Sequence, residues 1–341
     1  MTEGLTDRPG GVRGGAPSKN LSKSLNKLKG QEMTDDCLRP IAIKNEKFTI
    51  IGPSGEMTIP YGETSFTELK AIYKNKIAAS DTENIAAFML DGITLLSDLR
   101  AAVLECRKTG KPVYVMLSVD DELLTENELP ADAALIVAQS LGAICFGITA
   151  DDTETLIDGI HRIKPCSQIP VAVRPKNGTL TDEELSELLK AGTDVFIGLT
   201  DECATRFQNI ISSENYAPPE IEYIDSVMLA NERSAFFLEH DTTEISEPIE
   251  CNAGMGEDLV AVCGEGGYDV LNIQINSPDD ALDFADNAHM ATLPVMFSGD
   301  DEIAMKLAVM LYQGRALIDG TSLIDPEELK NTARKYGAVI Y

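Results

Sequence analysis

Long apolar runs and paired cysteines are missing from this 341-residue chain, and basic residues are few. No stretch approaches the roughly 18 to 20 uninterrupted apolar residues that a membrane span needs, and the amino terminus lacks the apolar core of a secretory signal. These absences predict a cytoplasmic protein without a membrane partner.

The seven cysteines are far apart, odd in number and include no pair separated by two residues. This pattern favours neither a disulfide framework nor a clustered metal site. Cys106 and Cys145 lie in apolar sequence, where a thiol acts as a small hydrophobic side chain. The chain has only three histidines, and their spacing suggests no metal ligands. We therefore expect no bound metal.

Acidic side chains outnumber basic ones by 56 to 28, and the resulting net charge of -28 opposes contact with phosphate backbones. Nucleic acid is therefore not expected as a partner. Residues 1–30 are an exception, with six Lys/Arg and two Asp/Glu. A tail rich in Gly, Ser, Asn and Lys is typical of disorder, so we predict a disordered leader over residues 1–46. Met33 is an alternative first residue.

Short apolar runs alternate with helical patterns from about residue 47 onward, which is typical of parallel βαβ units. The runs are apolar almost throughout, as expected for strands that are covered on both faces. The predicted strands are 48–52, 85–90, 112–119, 144–149, 169–175, 194–199, 234–239, 269–275, 293–299, 315–320 and 337–341.

Local signals predict where the helices between these strands begin and end. Ser65–Glu68 and Thr181–Glu184 fit the capping box, in which a hydroxyl and a carboxylate satisfy free backbone N–H groups. Gly110 and Gly192 stand where a left-handed residue is expected to end a helix. Two later helices are expected to start with a cap residue followed by proline, at Ser277 and Asp325.

A Pro-Pro pair and polar residues interrupt this alternation over residues 211–233, which predicts a boundary. We divide the rest of the chain into a first βα lobe at 47–215, a linker at 216–233 and a second βα lobe at 234–341. The predicted fold class is α/β with barrel-like repeats. The first lobe has six predicted strands and the second has about five, which is too few for a closed eight-stranded barrel. Each lobe is therefore interpreted as an incomplete TIM-type barrel.

The segment that contains Gly52, Pro53, Ser54, Gly55 and Glu56 resembles the Gly-Pro-Ser/Thr-Gly stretch of the homocysteine S-methyltransferase family. Further resemblances to this family, and to the pterin-binding module that follows it in cobalamin-dependent methionine synthases, occur in order at 91–122, 141–152, 171–178, 269–276, 293–320 and 333–341. The resemblance implies a homocysteine-binding barrel followed by part of a pterin-binding module.

Zinc enzymes of this family bind their metal through three cysteines, and the metal converts the substrate thiol to a thiolate. The resemblance places Ala150 at the first cysteine and the Gly198–Asp201 stretch over the other two, so all three ligands are missing. The cobalamin-ligand motif is also missing. Cobalamin is therefore expected only on a separate protein, and a corrinoid or other methionine-synthase-like protein is the expected partner.

The pterin-site positions are also changed: Gln274, Ser298 and Asp319 stand where the family has Asn, Asp and Asn. An ionised carboxylate at Asp319 only accepts hydrogen bonds, whereas the amide that it replaces both donates and accepts them. Recognition of tetrahydrofolate by this module is therefore doubtful.

The substrate-binding candidates are Asp91, Gly52, Ser54 and Gly55, and no catalytic residue is assigned. Asp91 ends an apolar strand at the family's substrate-binding Glu position, which favours amine binding, although a strand-end acid that caps the next turn explains it equally well. The three turn residues either approach a ligand closely or simply form a tight turn.

The sequence therefore indicates a methionine-synthase-like protein that has lost the zinc cysteines and acts as a non-catalytic binding or regulatory module. The alternative is a methyltransferase component of a split cobalamin-dependent methionine synthase or a related corrinoid system.

We predict that starting the chain at Met33 shifts the melting temperature by less than about 2 °C, because the removed residues offer little apolar surface to bury. Differential scanning calorimetry of the two lengths tests this, with limited proteolysis as a second measurement. A melting temperature several degrees lower, or resistance of residues 1–33 to protease, would contradict the prediction.

Overall fold

The computed structural model describes residues 39–45, 48–80, 85–213, 216–239 and 242–341. The basic tail, Met33 and Cys37 lie outside the described residues, so the prediction of a disordered leader stays a prediction for residues 1–38.

The first sheet contains seven parallel strands in the order β1-β7-β6-β5-β4-β3-β2. These strands are β1 (Ile41–Ile43), β2 (Phe48–Ile51), β3 (Ala87–Asp91), β4 (Val113–Ser118), β5 (Cys145–Thr149), β6 (Val171–Val173) and β7 (Val195–Ile197). Helices follow the strands from β2 to β7, as expected for βαβ units, and are α1 (Phe66–Ala78), α2 (Leu96–Arg107), α3 (Ala131–Ser140), α4 (Thr153–Ile163), α5 (Asp182–Ala191) and α6 (Asp201–Ser212).

This sheet is curled, as the length of one connection requires. The strands β1 and β2 lie at opposite edges of the sheet, yet only five residue steps separate Ile43 from Phe48. Five extended residues span at most about 18 Å, whereas the edges of a flat seven-stranded sheet would be about 29 Å apart. The sheet therefore forms an incomplete TIM-type barrel, which confirms the predicted fold class for this part of the chain.

The predicted count of six strands for the first sheet was wrong, because β1 pairs with β7 as a seventh strand. This strand lies within residues 1–46, which we had assigned to the leader. Three residues are too few to display a clear hydrophobic period. Their pairing with β7, more than 150 positions later, is a long-range contact that local sequence does not reveal.

The structure confirms the predicted helix caps at Ser65, Thr181 and Gly192. Ser65 with Glu68 and Thr181 with Glu184 form reciprocal capping boxes at the starts of α1 and α5. Gly192 ends α5 with a φ of 106°, in the left-handed region that favours glycine. Helix α2 ends earlier than predicted, at Arg107, so that Gly110 lies in the turn beyond the helix.

The second sheet has five parallel strands in consecutive order: β10 (Ile249–Glu250), β11 (Leu271–Gln274), β12 (Val295–Ser298), β13 (Leu317–Ile318) and β14 (Val339–Ile340). Its helices are α7 (Met255–Glu265), α8 (Pro278–Asn287), α9 (Glu302–Leu311) and α10 (Pro326–Tyr336). Ser277 and Asp325 cap α8 and α10, each followed by proline, as predicted.

An antiparallel hairpin of β8 (Val227–Ala230) and β9 (Ala235–Leu238) precedes the second sheet. The predicted strand at 234–239 exists as β9 but pairs with β8 and not with the parallel strands. The sequence did not predict β8, because its four residues lie inside the stretch at 216–233 that was predicted to be a linker. Side chains of Val227 and Leu229 pack against the second sheet on the face opposite its helices.

One hydrophobic core cluster includes side chains from the helices of both sheets. Buried Arg100 on α2 crosses between them: its guanidinium donates to the carbonyl oxygens of Gly314 (2.8 Å) and Val309 (3.2 Å), which belong to the second sheet's unit. Burial lowers the pKa of Arg100 to about 10, so the side chain is still charged at neutral pH. Backbone carbonyls therefore stabilise this buried charge.

Within the described segments, no helix has the length and apolar content needed to cross a membrane.

We predict that Arg100→Ala lowers the free energy of unfolding by about 3 kcal/mol, because it leaves buried carbonyl oxygens without donors and a cavity between the two sheets. Urea denaturation followed by circular dichroism measures the change. Lys330→Ala is the control, since it removes only an exposed i,i+3 ion pair and should cost at most about 0.5 kcal/mol. Equal losses in the two variants would contradict the prediction.

Candidate functional site

The interior of the incomplete barrel is lined by alternate residues of the seven strands. Met89, Tyr114, Met116, Cys145 and Ala172 belong to one inner hydrophobic cluster, separate from the core under the helices. Because side chains in a strand alternate between faces, the next inward positions toward the carboxyl ends are Asp91, Ser118, Thr149 and Arg174. These four polar residues form the barrel mouth, where barrel enzymes place functional side chains.

Asp91 and Arg174 meet across this mouth. Arg174 Nη1 lies 2.7 Å from Asp91 Oδ2, and Nη2 lies 2.7 Å from Oδ1, so the pair is bidentate. Both side chains are largely buried, with 19 % of Arg174 and 23 % of Asp91 exposed. Such a pair has fixed geometry and is stronger than an exposed one. The Thr149 hydroxyl donates to the Arg174 carbonyl at 2.7 Å and so fixes the backbone from which the guanidinium extends.

Arg174 was not among the predicted site residues. Its signal was present in the sequence, as a cation directly after an apolar strand and two positions beyond Ala172, which faces inward. Its contact with Asp91, 83 positions away, is visible only in the curled sheet.

Below the ion pair the barrel interior is filled by side chains. A Cβ added to Gly147 would lie 2.6 Å from both the Met116 sulfur and the Ala172 Cβ, so the interior has no room at this level. The rings of Phe48 and Tyr114 make an edge contact at 4.9 Å. Burial raises the pKa of the Cys145 thiol well above its usual value, so this cysteine is a packed thiol and not a thiolate.

The predicted turn residues follow β2, and the first of them, Gly52, lies beside Asp91. A Cβ on Gly52 would lie 3.9 Å from the Asp91 carbonyl oxygen, and Gly55 has a φ of 86°. The Ser54 N–H donates to buried Asp98 at 3.2 Å, and the Ser54 hydroxyl accepts from the Glu56 N–H at 3.0 Å. The structure thus places Gly52 next to Asp91, while the hydrogen bonds of Ser54 lead to Asp98 on α2 and to Glu56 within the turn.

The residues that the sequence resemblance places at zinc positions do not offer a set of zinc ligands. Ala150 has no ligand atom, and the Thr200 hydroxyl caps α6 by accepting from the Cys203 N–H at 3.3 Å. Asp201 pairs with Lys44 at 2.8 Å, and this partner lowers the pKa of Asp201. Over the described ranges, no group of three His, Cys, Asp or Glu side chains has the arrangement of a metal site.

The three positions that the sequence resemblance assigns to a pterin site lie at the carboxyl ends of adjacent strands of the second sheet. Gln274 and Ser298 are register partners on β11 and β12, and Asp319 directly follows β13. The Ser298 hydroxyl donates to Asn272 at 2.6 Å. Asp319 accepts from both the backbone N–H and the hydroxyl of Thr321 at 2.8 Å, so this carboxylate stabilises its own turn.

We predict that Asp91 and Arg174 are coupled by about 2 kcal/mol, because the pair is bidentate and mostly shielded from water. A double-mutant cycle of Asp91→Ala and Arg174→Ala, followed by urea denaturation, measures this energy. The exposed pair of Asp182 and Arg206, at 2.9 Å, is the matched control and should give a clearly smaller coupling energy, because water screens it. A coupling energy no larger than that of the control would contradict the prediction and show that Asp91 and Arg174 do not hold a fixed geometry in solution.

Comparison with known proteins agrees with this architecture. The family model described as homocysteine S-methyltransferase matches residues 31–211, which include all seven strands of the first sheet and the polar barrel mouth. No curated protein matches the chain. Because the family model covers more than half of the sequence, the chain belongs to the homocysteine S-methyltransferase family.

Proposed function

We propose that this family member has lost zinc catalysis and acts as a non-catalytic binding or regulatory module. The observation that carries the proposal is the state of the three zinc positions, where Ala150 offers no ligand and Thr200 and Asp201 make other contacts. A hydroxyl and a carboxylate are harder ligands than thiolates and do not reproduce a three-sulfur zinc site.

Zinc would supply this family's reaction with a thiolate, which is the nucleophile. A free thiol has a pKa of about 8.5 and is only a few per cent ionised near pH 7. Without a metal, the substrate sulfur would lack both this activation and its fixed position. Each of these two losses alone lowers the rate of methyl transfer greatly. Together they are expected to lower it by many orders of magnitude.

The ion pair at the barrel mouth also supports a change of role. Each oxygen of Asp91 accepts one hydrogen bond from Arg174, so the charge of this carboxylate is already paired with a guanidinium. A substrate ammonium at Asp91 would compete with this bidentate ion pair for the same carboxylate. The pair instead places one negative and one positive group side by side. This arrangement suits control of which polar ligands enter the barrel mouth rather than activation of a thiol.

The proposal extends to cofactors and partners. Tetrahydrofolate is not expected on the second sheet, because Asp319 already accepts two hydrogen bonds from Thr321 and cannot donate when ionised. Cobalamin, if involved, would be carried by another protein. The partner that we propose is therefore a corrinoid or other methionine-synthase-like protein.

We predict that the full chain supplied with methylcobalamin and homocysteine forms no more methionine than a reaction without protein. The reason is the absence of a group that ionises and positions the substrate thiol. Mass spectrometry of methionine over time makes the measurement, and elemental analysis of the same preparation should find far less than one zinc per chain.

The triple variant Ala150→Cys, Thr200→Cys, Asp201→Cys is the matched control, since it returns the thiols to the zinc positions. Zinc uptake by this variant and not by the parent chain would attribute the loss to the side chains and not to the scaffold. Turnover by the parent chain well above background, abolished by Asp91→Ala, would refute the non-catalytic proposal and favour a split methyltransferase.

A further inference from the structure

A small cavity lies outside the barrel mouth, where the loop between β2 and α1 meets the second sheet's unit. Its volume is about 140 Å³. Apolar walls come from Ile59 and Phe66 on one side and from Leu282 and Leu311 on the other. None of the barrel-mouth residues lines it, so any role of this cavity is separate from the function proposed for the mouth.

Three buried polar atoms without hydrogen-bond partners belong to residues that line the cavity. They are the Tyr312 hydroxyl, Gln313 Oε1 and His289 Nδ1, each unpartnered within the part of the chain that the structure describes. Tyr312 itself is only 4 % exposed. Buried polar groups in folded proteins are nearly always paired, because leaving one unpaired costs free energy. Three such atoms around one cavity indicate that something else completes their hydrogen bonds.

The orientation of Gln313 is set by its other end. Its Nε2 donates to the Leu311 carbonyl at 2.6 Å, which leaves Oε1 as a free acceptor. A partner for this atom must be a hydrogen-bond donor.

A carboxylate adds negative charge to the same wall. Glu232 lines the cavity and makes no hydrogen bond or ion pair within the described residues. Burial raises the pKa of Tyr312, and the nearby charge of Glu232 raises it further. Burial raises the pKa of Glu232, and Arg233 at the exposed rim partly opposes this shift. A partly buried carboxylate that forms no hydrogen bond or ion pair among the described residues is costly, and a cation in the cavity would reduce that cost.

We propose that this cavity binds a small primary ammonium with a short apolar chain. The ammonium would donate to the Glu232 carboxylate, Gln313 Oε1 and the Tyr312 hydroxyl, which matches its three N–H donors. The hydrocarbon part would lie against Ile59, Leu282 and Leu311. A cavity of about 150 Å³ holds a benzene molecule, so the space here fits a ligand of about five or six heavy atoms.

The first test uses n-butylammonium chloride as the probe, with n-butanol and sodium butyrate as controls of the same chain length. Saturation-transfer NMR on the full chain should show saturable binding of n-butylammonium in the millimolar range and much weaker binding of both controls. No saturable binding of n-butylammonium, or equal binding of n-butanol, overturns the proposal.

Two variants assign the binding to this cavity. Glu232→Gln should weaken n-butylammonium binding about tenfold or more, because it removes the charge-assisted hydrogen bond. Tyr312→Phe should also weaken binding, yet it should leave the unliganded melting temperature equal or higher, because it deletes a hydroxyl that has no partner. This second variant keeps the test decisive if Glu232→Gln folds poorly.

Glu302→Gln is the control, since it removes an exposed carboxylate from α9 outside the cavity. It should bind n-butylammonium as the parent chain does. Equal weakening in Glu302→Gln and Glu232→Gln would show binding by general negative charge and overturn the proposal. Unchanged binding in both Glu232→Gln and Tyr312→Phe would do the same. None of these results depends on methyl transfer or zinc content.

Discussion

The short connection from Ile43 to Phe48 is the constraint on which the first half of the molecule depends. It holds the two edge strands of a seven-stranded sheet closer than a flat sheet allows, and the sheet must curl. Curling gives the sheet a concave inner face, on which one set of alternate side chains packs into a separate hydrophobic cluster. It also brings together strand ends that are far apart in the sheet order.

The contact between Asp91 and Arg174 is a direct result of that curvature. Three strand spacings separate β3 from β6, about 14 Å in a flat sheet, which is farther than these two side chains reach. In the barrel both point inward and form two hydrogen bonds of 2.7 Å. The scaffold that would position a substrate and a metal thus positions an ion pair, above an interior already filled by Met116, Tyr114 and their neighbours.

The features that the sequence predicted well depend on residues close together in the chain. The capping boxes at Ser65 and Thr181 involve residues three positions apart, and their structure follows from that spacing alone. What it missed is non-local: β1 is defined by pairing with β7, and Arg174 matters because of a residue 83 positions earlier. The sequence also contains no sign of the Tyr312 and Gln313 atoms that lack partners among the described residues, because a missing hydrogen bond has no sequence pattern.

The buried Arg100 has a consequence for how the two halves of this chain can evolve. Its helix belongs to the incomplete barrel, but its guanidinium serves carbonyl groups of the other sheet's unit. Selection that maintains the second sheet therefore also preserves α2 and the strands that hold it, whatever happens to the chemistry at the barrel mouth. A barrel can therefore lose its catalytic activity and still be retained in evolution, because the neighbouring sheet needs it as a packing surface.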